Sequence, residues 1–202
     1  MSPAPRETER RAEVRRRTHE TAVELSVNLD GVGAADIESP AGFLNHMLAL
    51  VARHALVDLT VKATGDTGVD FHHTVEDIGI CLGQALEKAL GSKEGITRFG
   101  SASVPMDEAL ADVALDVSGR PHLAFHVAFP GERIGDFETQ LVQEFFQAVA
   151  THAKWTLHIR VPYGTNDHHI AEAIFKALAR ALKTAVARDP RVSGTPSTKG
   201  VL

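Results

Sequence analysis

His72-His73-Thr74-Val75-Glu76 and His168-His169-Ile170-Ala171-Glu172 are two copies of one pattern. Each is a histidine pair with a glutamate three residues beyond it. They stand 96 residues apart (168 − 72) in a chain of 202, close to half its length. The likeness continues on both sides. Val51-Ala52-Arg53-His54-Ala55 matches Val149-Ala150-Thr151-His152-Ala153, and Asn45-His46-Met47-Leu48 falls opposite Gln143-Glu144-Phe145-Phe146. Downstream, Ile78, Leu82, Ala85 and Leu86 coincide with Ile174, Leu178, Ala181 and Leu182. Two copies at this spacing predict one half-domain used twice, because a solenoid would show more copies at a shorter period. The expected repeats cover about residues 10–95 and 96–190 of a single domain, with a tail over 190–202.

Working outward, hydrophobic period separates strands from helices. Thr21, Val23, Leu25, Val27 and Leu29 alternate and predict a half-buried strand over residues 18–29, closed by turn residues Asp30-Gly31. Residues 42–54 have helical spacing, Leu56 to Lys62 reads as a strand, and His73 to Leu90 reads as a helix stopped by Gly91. The second half predicts strands at Ser101 to Val104, Leu110 to Val117 and His122 to Val127, then a helix from Phe137 to His152. A strand from Trp155 to Val161 and a helix from His168 to Ala187 follow. The tail from Pro190 reads as irregular. The fold class expected is α+β: helices packed between two mixed sheets, which buries every apolar stripe at once.

Composition narrows the function classes. Net charge is −5, so bulk charge does not draw the chain to nucleic acid. Arg10 to Arg17 is a basic run, read as a solvated arm leading into the first strand; no aromatic residues interleave with it as nucleic-acid binding would favour. No apolar run approaches the roughly 20 residues of a membrane helix. The stretch Met1 to Arg17 is basic, but no apolar segment follows as a secretory signal requires. The single cysteine, Cys81, forms no internal disulfide and sits at a core-facing helical position. A cytoplasmic location is expected.

The histidines carry the chemistry. Residues four apart share a helix face, so His72 with Glu76, and His168 with Glu172, can share an ion. Adjacent residues diverge by about 100°, so the two members of each pair serve different ions. Ligands then come from both halves or from neighbouring subunits. His46 adds an imidazole, and Glu144, at the matching position, adds a carboxylate. Imidazole mixed with carboxylate suits Mn, Fe or Zn in an open site. His54 and His152, at helix ends, read more readily as caps or dipole partners. Lys176, one turn after Glu172, is read either as an ordinary helix-surface pair or as an anion contact. Arg98 and Arg120 stand at loop–strand junctions where a guanidinium can clamp a phosphate. Ser197 and Lys199 lie in the tail.

Taken together, these residues resemble the imidazoleglycerol-phosphate dehydratase family over nearly the whole chain. Asn45-His46-Met47-Leu48, Ala63-Thr64-Gly65-Asp66, His72-His73-Thr74-Val75-Glu76-Asp77, Pro105-Met106-Asp107-Glu108, Ser118-Gly119-Arg120-Pro121 and Asp167-His168-His169 carry the likeness. The resemblance implies dehydration of imidazole glycerol phosphate to imidazole acetol phosphate in histidine biosynthesis. It implies a fold of two half-domains of ribosomal-protein type, two Mn2+ per active site, and a 24-subunit shell with active sites between subunits. It places metal ligands at His46, His72, His73, Glu76, His168, His169 and Glu172, and phosphate contacts at Arg98, Arg120, Lys176, Ser197 and Lys199. Glu20, His54 and Asp107 fall on further positions near the substrate, with Glu20 and Glu172 both open as the proton-moving carboxylate. Many members have histidine where this chain has Glu144; a carboxylate can also ligate manganese, so Glu144 is expected among the ligands. At this length the chain has no room for the phosphatase fused to some bacterial members.

Other classes fit part of the pattern. A metal-stapled shell without catalysis explains the histidines but not Arg98, Arg120 and Lys176. An RNA-binding module rests on topology alone and is opposed by the negative charge, and a metallohydrolase is opposed by every family motif.

Overall fold

The structure, a computed structural model, describes residues 10–202. The part of the expectation about a leader that concerns residues 1–9 lies outside the described residues. Along the chain the first half supplies β1 (Arg11–Arg17), β2 (Thr21–Asn28), β3 (Ala35–Glu38), α1 (Gly42–Ala55), β4 (Asp58–Gly65) and α2 (His72–Leu90). The second supplies β5 (Phe99–Met106), β6 (Ala109–Asp116), β7 (His122–His126), a hairpin of β8 (Arg133–Ile134) and β9 (Phe137–Glu138), then α3 (Gln140–Ala153), β10 (Thr156–Tyr163) and α4 (Asp167–Ala185).

The two sheets have the same plan. One runs β1-β2-β4-β3 and the other β5-β6-β10-β7. In each, the first three strands are antiparallel and the last joins in parallel. Alternation on the strands explains why each sheet has one buried face: Val23, Leu25 and Val27 point inward from β2, as Ala111, Val113 and Leu115 do from β6. α2 covers β1 and β2, and α4 covers β5 and β6. The helices pair across the halves, α1 with α4 and α2 with α3, so the four form one layer between the sheets. Phe145, Phe146 and Phe175 meet in that layer with ring centroids 4.8–5.4 Å apart. Cys81 is fully buried there too.

Some expectations need correction. Arg10 to Arg17 is not a solvated arm. Val14 turns inward and is buried, and the run forms edge strand β1 in register with β2, with Arg11, Arg15 and Arg17 exposed. Arg10 itself is buried, bonded to Asp30 and to the carbonyl of Val186. The helix expected from Phe137 begins at Gln140. Phe137 is buried in the β9 strand instead, where Gly135 takes the positive φ of 64° that the hairpin turn needs. β3 was not foreseen, since four residues carry too little pattern. The tail has neither helix nor strand, yet Gly194 and Pro196 accept hydrogen bonds from Gly95 N–H and the Arg98 guanidinium, each at 2.9 Å.

Candidate metal centre and anion site

Each histidine pair is placed by a loop side chain that caps the helix start. Asn166 Oδ1 accepts the N–H of His168 at 2.9 Å and of His169 at 3.2 Å. Asp70 Oδ1 accepts the N–H of His72 at 2.7 Å. These bonds satisfy donors that a helix N-terminus leaves open.

His168 turns toward α1 and remains partly exposed. Its Nε2 lies 3.1 Å from Glu172 Oε2, and His46 Nε2 from α1 lies 3.6 Å from the same oxygen. The ligand atoms of His46, His168 and Glu172 all fall within 4.8 Å of one another, although the residues come from opposite halves. Two imidazoles and a carboxylate converging this closely fit a divalent transition ion in an open site. Glu172 is only 7% exposed, and Lys176 Nζ sits 2.6 Å from its other oxygen. Burial pushes the Glu172 carboxyl up, but Lys176 and His168 outweigh it and hold the group below its ordinary value. The Glu172–Lys176 pair is therefore a half-buried contact at the centre, not an ordinary surface pair.

The matching helix pair, α2 with α3, carries His72, Glu76 and Glu144. α2 Cα atoms at Gly79 and Gly83 approach α3 so closely that an added Cβ would meet Phe145 O at 2.9 Å and Val149 O at 2.8 Å. The register advances in the same direction on both helices. Extended one turn back, that register runs from Gly79 toward Glu76 on α2 and from Ala148 toward Glu144 on α3. Among the described residues His72, Glu76 and Glu144 do not form a compact three-ligand group; besides the α1/α4 cluster, the structure assembles Glu20, Asp66 and His73.

His73 and His169 turn away from the helix layer. His73 Nδ1 lies 3.0 Å from Asp66 Oδ2 and 3.7 Å from Glu20. His169 Nδ1 lies 2.7 Å from Glu108 Oε2, and its Nε2 lies 3.7 Å from Asp107 Oδ2. Asp66 raises the pKa of His73, and Glu108 raises that of His169 while its own falls to about 2. Asp66 and Glu108 were not singled out by sequence reasoning. Both stand in stretches that carry the resemblance, but no spacing rule links either to a histidine 7 or 61 residues away.

His54 and His152 do lie in the last turns of α1 and α3. Burial lowers the pKa of each, helped by Lys176 for His54 and by Arg16 for His152, which works against the charged form that a dipole partner needs. Leu56 and Lys154, in left-handed conformation, close those helices instead.

The candidate anion contacts divide into two groups. Lys176 belongs to the α1/α4 centre. Arg98 and Arg120 gather around Asp116: Arg98 Nε at 2.7 Å and an Arg120 nitrogen at 3.7 Å. The Arg98 guanidinium also donates to Pro196 O in the tail that carries Ser197 and Lys199. Arg98 N–H bonds Ala185 O, nine residues beyond Lys176 on α4, or about 14 Å along the axis. Within the chain the two groups engage different partners, Lys176 with Glu172 and Met106, and Arg98 with Asp116 and Pro196.

Comparison with known proteins gives a concordant picture. A family model described as imidazoleglycerol-phosphate dehydratase matches residues 39–182. The chain is 57% identical over 193 residues to the imidazoleglycerol-phosphate dehydratase of Bacillus licheniformis, covering 96% of this chain and 100% of that one. It is 58% identical over 190 residues to that of Shouchella clausii, covering 94% and 97%. Among solved structures, the Staphylococcus aureus dehydratase superposes with a TM-score of 0.81 at 41% identity, over 89% of this chain and 99% of that one. The Pyrococcus furiosus enzyme, solved in complex with (S)-C348, gives 0.81 at 38% identity, over 94% and 100%.

Proposed function

The chain belongs to the imidazoleglycerol-phosphate dehydratase family of hydro-lyases, and from that premise we propose that it dehydrates D-erythro-imidazole glycerol phosphate to imidazole acetol phosphate in L-histidine biosynthesis. The observation that carries the reading is the convergence of His46, His168 and Glu172 within 4.8 Å beside Lys176. We propose two Mn2+ per active site, drawn to His46, His72, His73, Glu76, Glu144, His168, His169 and Glu172, in a cytoplasmic 24-subunit assembly.

When bound, such ions supply electrostatic stabilisation and a template for the imidazole ring. The remaining work falls to this chain's side chains. Arg98, Arg120, Lys176, Ser197 and Lys199 hold the phosphate, which fixes the reacting carbons relative to the ring. Arg98 bonds α4 at Ala185, about 14 Å along the axis from Lys176, which supports a phosphate held by Lys176 of one subunit and Arg98 of another. Dehydration removes a carbon-bound proton and a hydroxyl, so a carboxylate must be free to carry a proton. Glu172 is buried and engaged by Lys176 and two imidazoles. The Glu20 side chain is 54% exposed and 3.7 Å from its nearest imidazole. That contrast favours Glu20 as the proton carrier and Glu172 as a ligand; His54 and Asp107 line the approach.

The test is a turnover assay with imidazole glycerol phosphate on chelator-stripped protein before and after Mn2+. Activity that returns only with metal is expected. Metal uptake without turnover would instead favour a metal-stapled structural shell.

A further inference from the structure

Glu20 and Glu108 occupy the same place in the two halves. β2 and β6 are each eight residues long, offset by 88 (109 − 21), and the two glutamates stand 88 apart (108 − 20), each immediately before its strand. Each lies near Nδ1 of the second histidine of its half's pair, but at different distances: Glu108 at 2.7 Å from His169, Glu20 at 3.7 Å from His73. In the first half Asp66, from the loop after β4, takes the nitrogen instead, with its two oxygens 3.0 and 3.2 Å from His73 Nδ1. One carboxylate therefore grips Nδ1 in each half, and the grip is firm in the second. Glu108 Oε1 accepts the N–H groups of Thr165 at 3.1 Å and Asn166 at 2.8 Å, so Oε2 cannot swing away from the ring.

A carboxylate on Nδ1 has a defined chemical effect. It keeps the proton on Nδ1, leaves the lone pair on Nε2, and fixes the ring plane; metal-binding histidines are commonly held this way. We propose that Asp66 and Glu108 are positioning residues that set the tautomer and aim of His73 and His169, presenting Nε2 of each as a ligand on the surface where a neighbouring subunit docks. The inference rests on the metal reading given above. It explains why each of these two histidines, though partly exposed, is held by a carboxylate on Nδ1. It also explains the asymmetry of the duplication: Asp66 relieves Glu20 of the role that Glu108 performs, and leaves Glu20 open to substrate.

The two sites respond differently to amide substitution. In Glu108→Gln the oxygen stays on the Thr165 and Asn166 N–H groups, so the amide NH2 faces Nδ1 and forces the proton onto Nε2, which then cannot ligate. Asp66 makes no other side-chain hydrogen bond among the described residues, so in Asp66→Asn the amide is free to turn its oxygen to Nδ1. Mn2+ affinity and stoichiometry would be measured by equilibrium dialysis on wild type, Glu108→Gln, Asp66→Asn and Asp66→Ala. The thermal midpoint of each metal-free protein would be the control for folding. The expected result is affinity about 10- to 100-fold weaker for Glu108→Gln and Asp66→Ala, with a smaller loss for Asp66→Asn, at unchanged metal-free midpoints. Wild-type affinity in Glu108→Gln and Asp66→Ala overturns the inference while leaving the metal reading standing. Equal losses in Asp66→Asn and Asp66→Ala, or losses that track a fallen midpoint, also overturn it. A wild type that takes up no Mn2+ overturns both.

Discussion

At the scale of single residues, the centre is governed by who shares Glu172. Lys176 holds one oxygen and the two imidazoles approach the other, so the carboxylate is ionised and oriented before any ion or substrate arrives. Lys176→Ala should raise KM about 10- to 100-fold, the worth of a lost charge-assisted hydrogen bond. Metal content at neutral pH should be unchanged, because the ligands remain; steady-state kinetics with metal analysis checks both. His152 gives a prediction of stability. Burial, helped by Arg16, lowers its pKa in the folded protein below the ordinary 6.5. The folded state then favours neutral imidazole, so its stabilising contribution is present above 6.5 and lost as pH falls through the lowered value. The thermal midpoint of chelator-stripped protein should fall with pH in that window, and His152→Gln should flatten part of the slope. The carboxylate partners Asp66 and Glu108 belong to this scale too, and no sequence period could have found them, since each grips its histidine through the fold.

At the scale of elements, the helices were legible and the short strands were not. The i, i+3, i+4 stripes of α2 and α4 survive in the structure as buried faces, whereas β3 and the β8–β9 hairpin are too short for a period to register. The basic run before β2 misled for a related reason. This edge strand turns Ala12, Val14 and Arg16 inward, too short and mixed a set for a period to register, and arginines on its open face are what solvent tolerates. The pairing of α2 with α3 depends on Gly79 and Gly83, where a Cβ would collide with α3 backbone at 2.9 and 2.8 Å. Gly83→Ala gains about 1 kcal/mol of helix propensity. Overpacking against backbone should cost more, about 1–3 kcal/mol, and urea unfolding should show net destabilisation. A variant as stable as wild type would mean that the helices can separate without loss.

At the scale of the whole molecule, the helices pair across the two halves, so the α1/α4 group takes His46 from one repeat and His168 and Glu172 from the other. The same scale separates Lys176 from Arg98 along α4. At substrate concentrations below the wild-type KM, Lys176→Ala and Arg98→Ala should each turn over slowly alone, and mixed, refolded assemblies of the two should regain part of the rate, because some sites then draw both intact residues from different chains. Mixtures as slow as their parents would argue against sites shared between subunits. The amino-acid sequence by itself determined the duplication, the α+β class, the helix faces and the residue types at the centre, because these are set by local period and by repetition along one chain. The packing of the elements settled that His168 turns to Glu172 while His73 and His169 turn to Asp66 and Glu108, that Asp66 rather than Glu20 takes His73, and that Lys176 lies mid-way along α4 while Arg98 meets its C-terminal end. Those facts depend on distances between residues far apart in sequence, which only packing the two sheets around the helix layer can fix.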